Sequence, residues 1–165
     1  MEIMLSGESR RRFEEFVRAY YLAAGREAPS FTFDPDTAIA FEVQVDGAAF
    51  TIGYDPVDSD ACLFVWCDLG ELPRGDDEAA LLRRALSRNV ALGREHGATC
   101  CIDAATQRLA LYARRDVGRG GIEAFNDDLA ALAEVARQWH LDHFAAQAAP
   151  AADTAVKTPV WAAFA

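Results

Sequence analysis

The chain is poor in the residues that catalytic and metal sites are usually built from. Histidine occurs three times: His96 at a predicted helix end, and His140 and His143 one turn apart on the last predicted helix. No third ligand stands at a suggestive spacing from that pair, and a histidine near a helix C-terminus is an ordinary partner for the helix dipole. No metal is expected. Cysteine occurs four times. Cys62 and Cys67 differ by an odd number and fall on opposite faces of a strand, as do adjacent Cys100 and Cys101; neither pair has C-x-x-C geometry, which leaves buried free thiols in a reducing compartment. A G-x-S-x-G elbow is absent, and Ser6, Ser9, Ser30, Ser59 and Ser87 sit at caps, in loops or on a charged helix, which excludes the usual serine hydrolase layout. The VGRGG run at 117–121 lacks both the G-x-G-x-x-G spacing and the P-loop Lys-Ser/Thr pair, and reads as a connecting loop. DPVDSD at 55–60 lacks the glycine and distal glutamate of a calcium loop and reads as a solvated turn. Neither a cofactor nor a catalytic residue is expected, and the protein is read as a non-enzyme.

Basic charge is scarce as well. Sixteen Lys and Arg against 26 Asp and Glu give a net charge of -10, which argues against nucleic acid and anionic membrane as partners and favours a partner with basic stretches. No apolar run approaches the roughly 20 residues of a membrane span. The start, MEIMLSGESRRRF, has no apolar core or small-residue cleavage site of a signal peptide, so a cytoplasmic protein is expected.

What is present is apolar periodicity. Phe13, Phe16, Val17, Tyr20 and Ala24 follow the i, i+3, i+4, i+7 rule of a helix that Ser9 could cap and Gly25 could end. Ile39, Phe41, Val43 and Val45 alternate with Ala40, Glu42 and Gln44 as in a half-buried strand, and Asp46-Gly47 supplies a two-residue hairpin turn. Such a turn pairs Val45 with Ala48, Val43 with Phe50, Phe41 with Ile52 and Ile39 with Tyr54, so turn and pattern specify the same register. CLFVWCDLGEL at 62–72 is apolar on both sides: Leu63, Val65, Cys67 and Leu69 on one, Phe64 and Trp66 on the other. A second helix, capped by Asp76 or Asp77, runs to about His96 with Leu82, Leu86 and Val90 on one stripe, and Gly97 stops it. Strands follow near 98–104 and 108–115. The last helix carries Ile122, Phe125, Leu129, Leu132, Ala136, Trp139 and His143.

The expected fold is therefore α+β: a mainly antiparallel five-stranded twisted sheet with three helices, in the order α-β-β-β-α-β-β-α. One domain spans 1–147, and 148–165 is an Ala/Pro-rich tail ending in Val160, Trp161 and Phe164.

Residues 10–144 resemble the class I type III secretion chaperones of the Tir chaperone family. The carriers are the order of elements, the strand running into LGELP at 69–73, the segment LLRRALSRN at 81–89, the hairpin CCIDAATQRLALYARR at 100–115, and the final helix with Phe125, Leu129 and Trp139. The resemblance implies a homodimer without catalytic activity or cofactor that holds the N-terminal region of a secreted effector soluble and export-competent. It implies a dimer interface at Leu82, Leu86 and Val90 with part of the strand bearing Phe64 and Trp66. It implies a client surface on the first helix and early strands at Phe13, Tyr20, Tyr21, Phe31 and Phe33. Since Tyr20 and Tyr21 cannot both face the core, one of them is expected to be exposed. A YbjN-like regulatory or sensory domain that binds a signalling partner is the alternative reading.

Overall fold

The structure is a computed structural model that describes residues 2–30, 39–54, 62–116 and 120–144. Helix α1 spans Glu2–Ala23, strands β1 and β2 Ile39–Val45 and Ala48–Tyr54, strand β3 Cys62–Glu71, and helix α2 Asp76–His96. Strands β4, Ala98–Ile102, and β5, Arg108–Asp116, lead to helix α3, Gly121–Trp139, which widens into a π-helical turn over His140–Phe144. The three-helix, five-strand α+β architecture follows the sequence reading. The predicted 148–165 tail lies outside the described residues.

The five strands form one sheet in the order β1-β2-β3-β5-β4, every neighbouring pair antiparallel. The β1–β2 register joins Ile39 to Tyr54, Phe41 to Ile52, Val43 to Phe50 and Val45 to Ala48, as turn and pattern predicted. The turn takes positive φ at both central residues, 49° at Asp46 and 83° at Gly47, the backbone that a two-residue hairpin needs and that Asp and Gly tolerate best.

Two helix starts differ from expectation. Helix α1 begins at Glu2, well ahead of Ser9, and Ser9 lies inside it. The i, i+4 ion pairs Arg12–Glu8, Arg10–Glu14 and Arg11–Glu15 straddle or follow that position and favour the helix through it. At α2 the N-cap is Gly75, with no side-chain cap, and Asp76 and Asp77 stand in the first turn, where their charge favours the helix dipole.

One face of the sheet carries the core. Leu63, Val65, Cys67 and Leu69 of β3, Phe50, Ile52 and Tyr54 of β2, and Leu109, Leu111 and Ala113 of β5 are all buried there. Helices α1 and α3 cover this face. Phe13 of α1 stacks on Tyr54 with ring centroids 5.9 Å apart, and Phe16 meets Phe125 of α3 edge to face at 4.9 Å. The α3 stripe is buried at Phe125, Leu129, Leu132, Ala136 and Trp139, and the π turn then sets His143 tilted against Trp139 with centroids 4.6 Å apart.

Helix α2 sits at the far edge of the sheet, along β4. It buries Leu81, Ala85 and Leu92 in the same core. Its Asn89 side chain bonds both backbone groups of Cys100: Oδ1 accepts from the Cys100 N–H at 2.7 Å, and Nδ2 donates to the Cys100 carbonyl at 3.1 Å.

Candidate protein-interaction surfaces

Strand alternation sends Phe64, Trp66, Thr51, Gly53, Tyr112, Thr99 and Cys101 to the face that α1 and α3 leave open. The subunit hides part of this apolar surface itself. Phe64 lies across Gly53 of β2, where an added Cβ would stand 2.1 Å from its Cζ, and Trp66 meets Tyr112 of β5 at 6.2 Å, nearly edge to face. Both rings remain half-buried. The subunit's own α2 runs along β4 rather than over this face.

The α2 stripe splits. Leu82 is half-buried, whereas Leu86 is 68% and Val90 64% exposed. At roughly 100° per residue, the helix turns from its buried side at Leu81, Ala85 and Leu92 through Asn89 at the β4 edge to Leu82, Leu86 and Val90. Gly93 lies within that sector, with open space where a side chain would be. The exposed stripe thus begins where the sheet ends and borders its open face.

A second surface lies at the opposite edge of the sheet. Phe13 is fully buried between Tyr54 and Phe41, so it presents no side-chain surface to a partner; this corrects its placement on a client surface. Tyr20 and Tyr21 are both half-buried, and neither is the exposed one of the pair. They straddle Phe41 of β1, with centroids 5.9 and 5.7 Å from its ring, and Tyr20 also meets Phe125 at 6.1 Å. Burial raises the Tyr20 pKa above its ordinary value, with Tyr21 adding to the effect. Phe31 and Phe33 lie outside the described residues.

One contributor escaped the sequence reading. Phe41, read only as a strand residue, is the platform beneath both tyrosines. Leu22 is 78% exposed at the end of α1, but it stands 180° around the helix from the Phe13 side and so away from Tyr20.

Beside the tyrosines runs the outer edge of β1. Because Val45 and Ala48 flank a two-residue turn, they form a hydrogen-bonded pair, and alternation then turns the backbone groups of Ala40, Glu42 and Gln44 away from β2. Among the described residues, no hydrogen bond reaches those groups from outside.

The rest of the molecule offers little for chemistry. Burial, helped by Asp68, pushes the Cys67 thiol up to about 12, and burial with the neighbouring Cys101 pushes Cys100 up to about 11. Such thiols stay protonated and are weak nucleophiles at neutral pH. No group of three or more His, Cys, Asp or Glu that could hold a metal occurs among the described residues. Among them, too, no helix is long and apolar enough to cross a membrane. A cavity of about 300 Å³ opens between Phe16, Leu63 and Phe125, but the Arg115 guanidinium at its rim is already bonded to Asp128 and to the His96 and Gly97 carbonyls.

The same fold occurs in several solved complexes. The structure matches the ExsC–ExsE complex with TM-score 0.60 at 18% identity, covering 79% of this chain and 92% of that one. It matches the HopA1–SchA chaperone–effector complex with TM-score 0.56 at 14% identity, covering 79% and 94%. The ExoU–SpcU complex of the Pseudomonas aeruginosa type III secretion system gives TM-score 0.56 at 19% identity, covering 74% and 93%. The chain itself belongs to the Tir chaperone protein (CesT) family, whose profile matches residues 22–140. No protein of curated function matches it in sequence.

Proposed function

We propose that this protein is a type III secretion chaperone that binds the N-terminal region of a secreted effector and keeps it soluble and export-competent. The observation that carries the reading is family membership over residues 22–140, joined to apolar surface that the subunit leaves open on two sides. Structural neighbours that are chaperone–effector complexes support the same reading.

The work is passive. An extended client segment lays apolar side chains against Tyr20 and Tyr21; Phe31 and Phe33, outside the described residues, are further client contacts that the family resemblance implies. Its backbone adds to the outer edge of β1, where Ala40, Glu42 and Gln44 offer N–H and C=O groups that no described residue pairs. The net charge of -10 favours basic client stretches and keeps the loaded complex soluble. No bond is made or broken, no cofactor takes part, and the protein acts in the cytoplasm.

The second surface serves self-association. Leu86 and Val90 form an exposed i, i+4 stripe beside the open face that bears Phe64 and Trp66, and a two-fold mate covers all four together with Leu82. A homodimer formed this way keeps both α1–β1 surfaces free for client.

Co-expression with the secreted proteins encoded beside it, followed by size-exclusion chromatography, tests the function. A stable complex that retains one protein's N-terminal region is expected. Failure to retain any such region would overturn the reading.

A further inference from the structure

A five-stranded open sheet has two edges, and either could accept an added strand. In this fold the two are not equivalent. At β1 the backbone groups of Ala40, Glu42 and Gln44 face outward. At β4 the residues turned away from β5 are Ala98, Cys100 and Ile102, and the central one is taken: Asn89 of α2 bonds the Cys100 N–H and carbonyl at 2.7 and 3.1 Å. A primary amide has the same donor and acceptor as a peptide group, so Asn89 bonds Cys100 as a residue of a sixth strand would.

We infer that Asn89 decides which edge of the sheet takes up an extended segment, by occupying the β4 edge as a strand surrogate and leaving β1 open. The inference rests on the strand-addition reading above, and it fixes one client strand per subunit and its side of the molecule. Helix α2 lies along that edge, and Asn89 adds the backbone pairing. Leu81, Ala85 and Leu92 hold α2 in the core through side chains, but none of them supplies the paired donor and acceptor that the edge backbone requires. The same closure protects the protein from itself. With only β1 open, two copies can pair edge to edge once and stop; with β4 open as well, β1 of one copy meets β4 of the next, a head-to-tail contact that does not close.

The test uses the full chain and no client, so its outcome is independent of whether an effector is ever found. Asn89→Leu keeps the side chain's bulk and removes both hydrogen bonds. Sedimentation velocity at tens of micromolar is expected to show an open-ended series of larger species that the unmodified chain lacks, and hydrogen exchange over residues 98–102 is expected to quicken at least tenfold. Loss of a helix contact or partial unfolding would also quicken exchange, so a second substitution separates the cases. Glu42→Pro removes an outward N–H of β1 without touching a bond to β2, as proline is tolerated on edge strands. Combined with Asn89→Leu it should abolish the series, because head-to-tail growth needs both edges. A series that persists in the double variant, or no series in Asn89→Leu, overturns the inference. Should Asn89→Leu fail to fold, Asn89→Ser, too short to reach both groups, is read by the same criteria.

Discussion

Phe64 of β3 lies over Gly53 of β2 so closely that a Cβ on residue 53 would stand 2.1 Å from the ring's Cζ. The glycine is a cradle: it lets a large ring lie down on an otherwise open face and hide part of its area. Gly53→Ala is expected to lift Phe64 into solvent. Because the clash is with the far end of a side chain that can rotate, the cost should be moderate, about 1 to 2 kcal/mol. Thermal unfolding measures it, and binding of an apolar dye should rise at the same time.

Leu86 and Val90 cost the isolated subunit little, since both are mostly exposed. Leu86→Asp or Val90→Asp should change subunit stability by no more than about 0.5 kcal/mol, as is usual for surface positions. Either should split the proposed dimer, because a carboxylate would be buried without a partner. Sedimentation equilibrium reads the change, and an unaltered dimer would remove this stripe from the interface.

Phe13 and Tyr21 separate stability from binding. Phe13→Ala empties a fully buried site between Tyr54 and Phe41 and should cost about 3 to 5 kcal/mol in denaturant unfolding. Tyr21→Asp acts at a half-buried ring on the rim and should weaken client retention at least tenfold while leaving the fold in place. Equal losses of stability for the two variants would contradict this division.

Much of the fold was legible because two independent signals agreed. The β1–β2 register followed from the Asp46-Gly47 turn and from apolar alternation together, and no tertiary contact was needed to choose it. The α3 stripe followed from a steady period. The surfaces were harder to read. Phe13 and Tyr20 share one helical phase, yet Phe13 is sealed by Tyr54 while Tyr20 stays half open over Phe41, and only the packing of α1 across β1 and β2 distinguishes them. Leu86 and Leu81 are both leucines on α2; which one meets the core depends on where the helix sits along β4. The role of Asn89 left no trace in any hydrophobic pattern, since it depends on two hydrogen bonds to a strand eleven residues away.

Cys67 should make the fold sensitive to alkali. Folding raises its pKa from the ordinary 9.0 to about 12, chiefly through burial. The folded chain therefore holds this proton where the unfolded chain has lost it. The stability that results is whole below pH 9 and is lost as pH rises toward about 12. Between those limits one such proton changes unfolding free energy by about 1.4 kcal/mol per pH unit. Denaturant unfolding at pH 8 to 10.5 should show a steeper decline in the unmodified chain than in Cys67→Ala; equal slopes would show that the thiol ionises freely in the folded state.

The most direct measurement is hydrogen exchange on the full chain, alone and bound to the secreted protein that co-purifies with it. Bound client should slow exchange at the outward amides of Ala40, Glu42 and Gln44 and leave β4 unchanged. Exchange at β1 that is the same with and without client, in a complex shown to be intact, would contradict the proposal that this edge and the aromatic surface beside it hold the cargo.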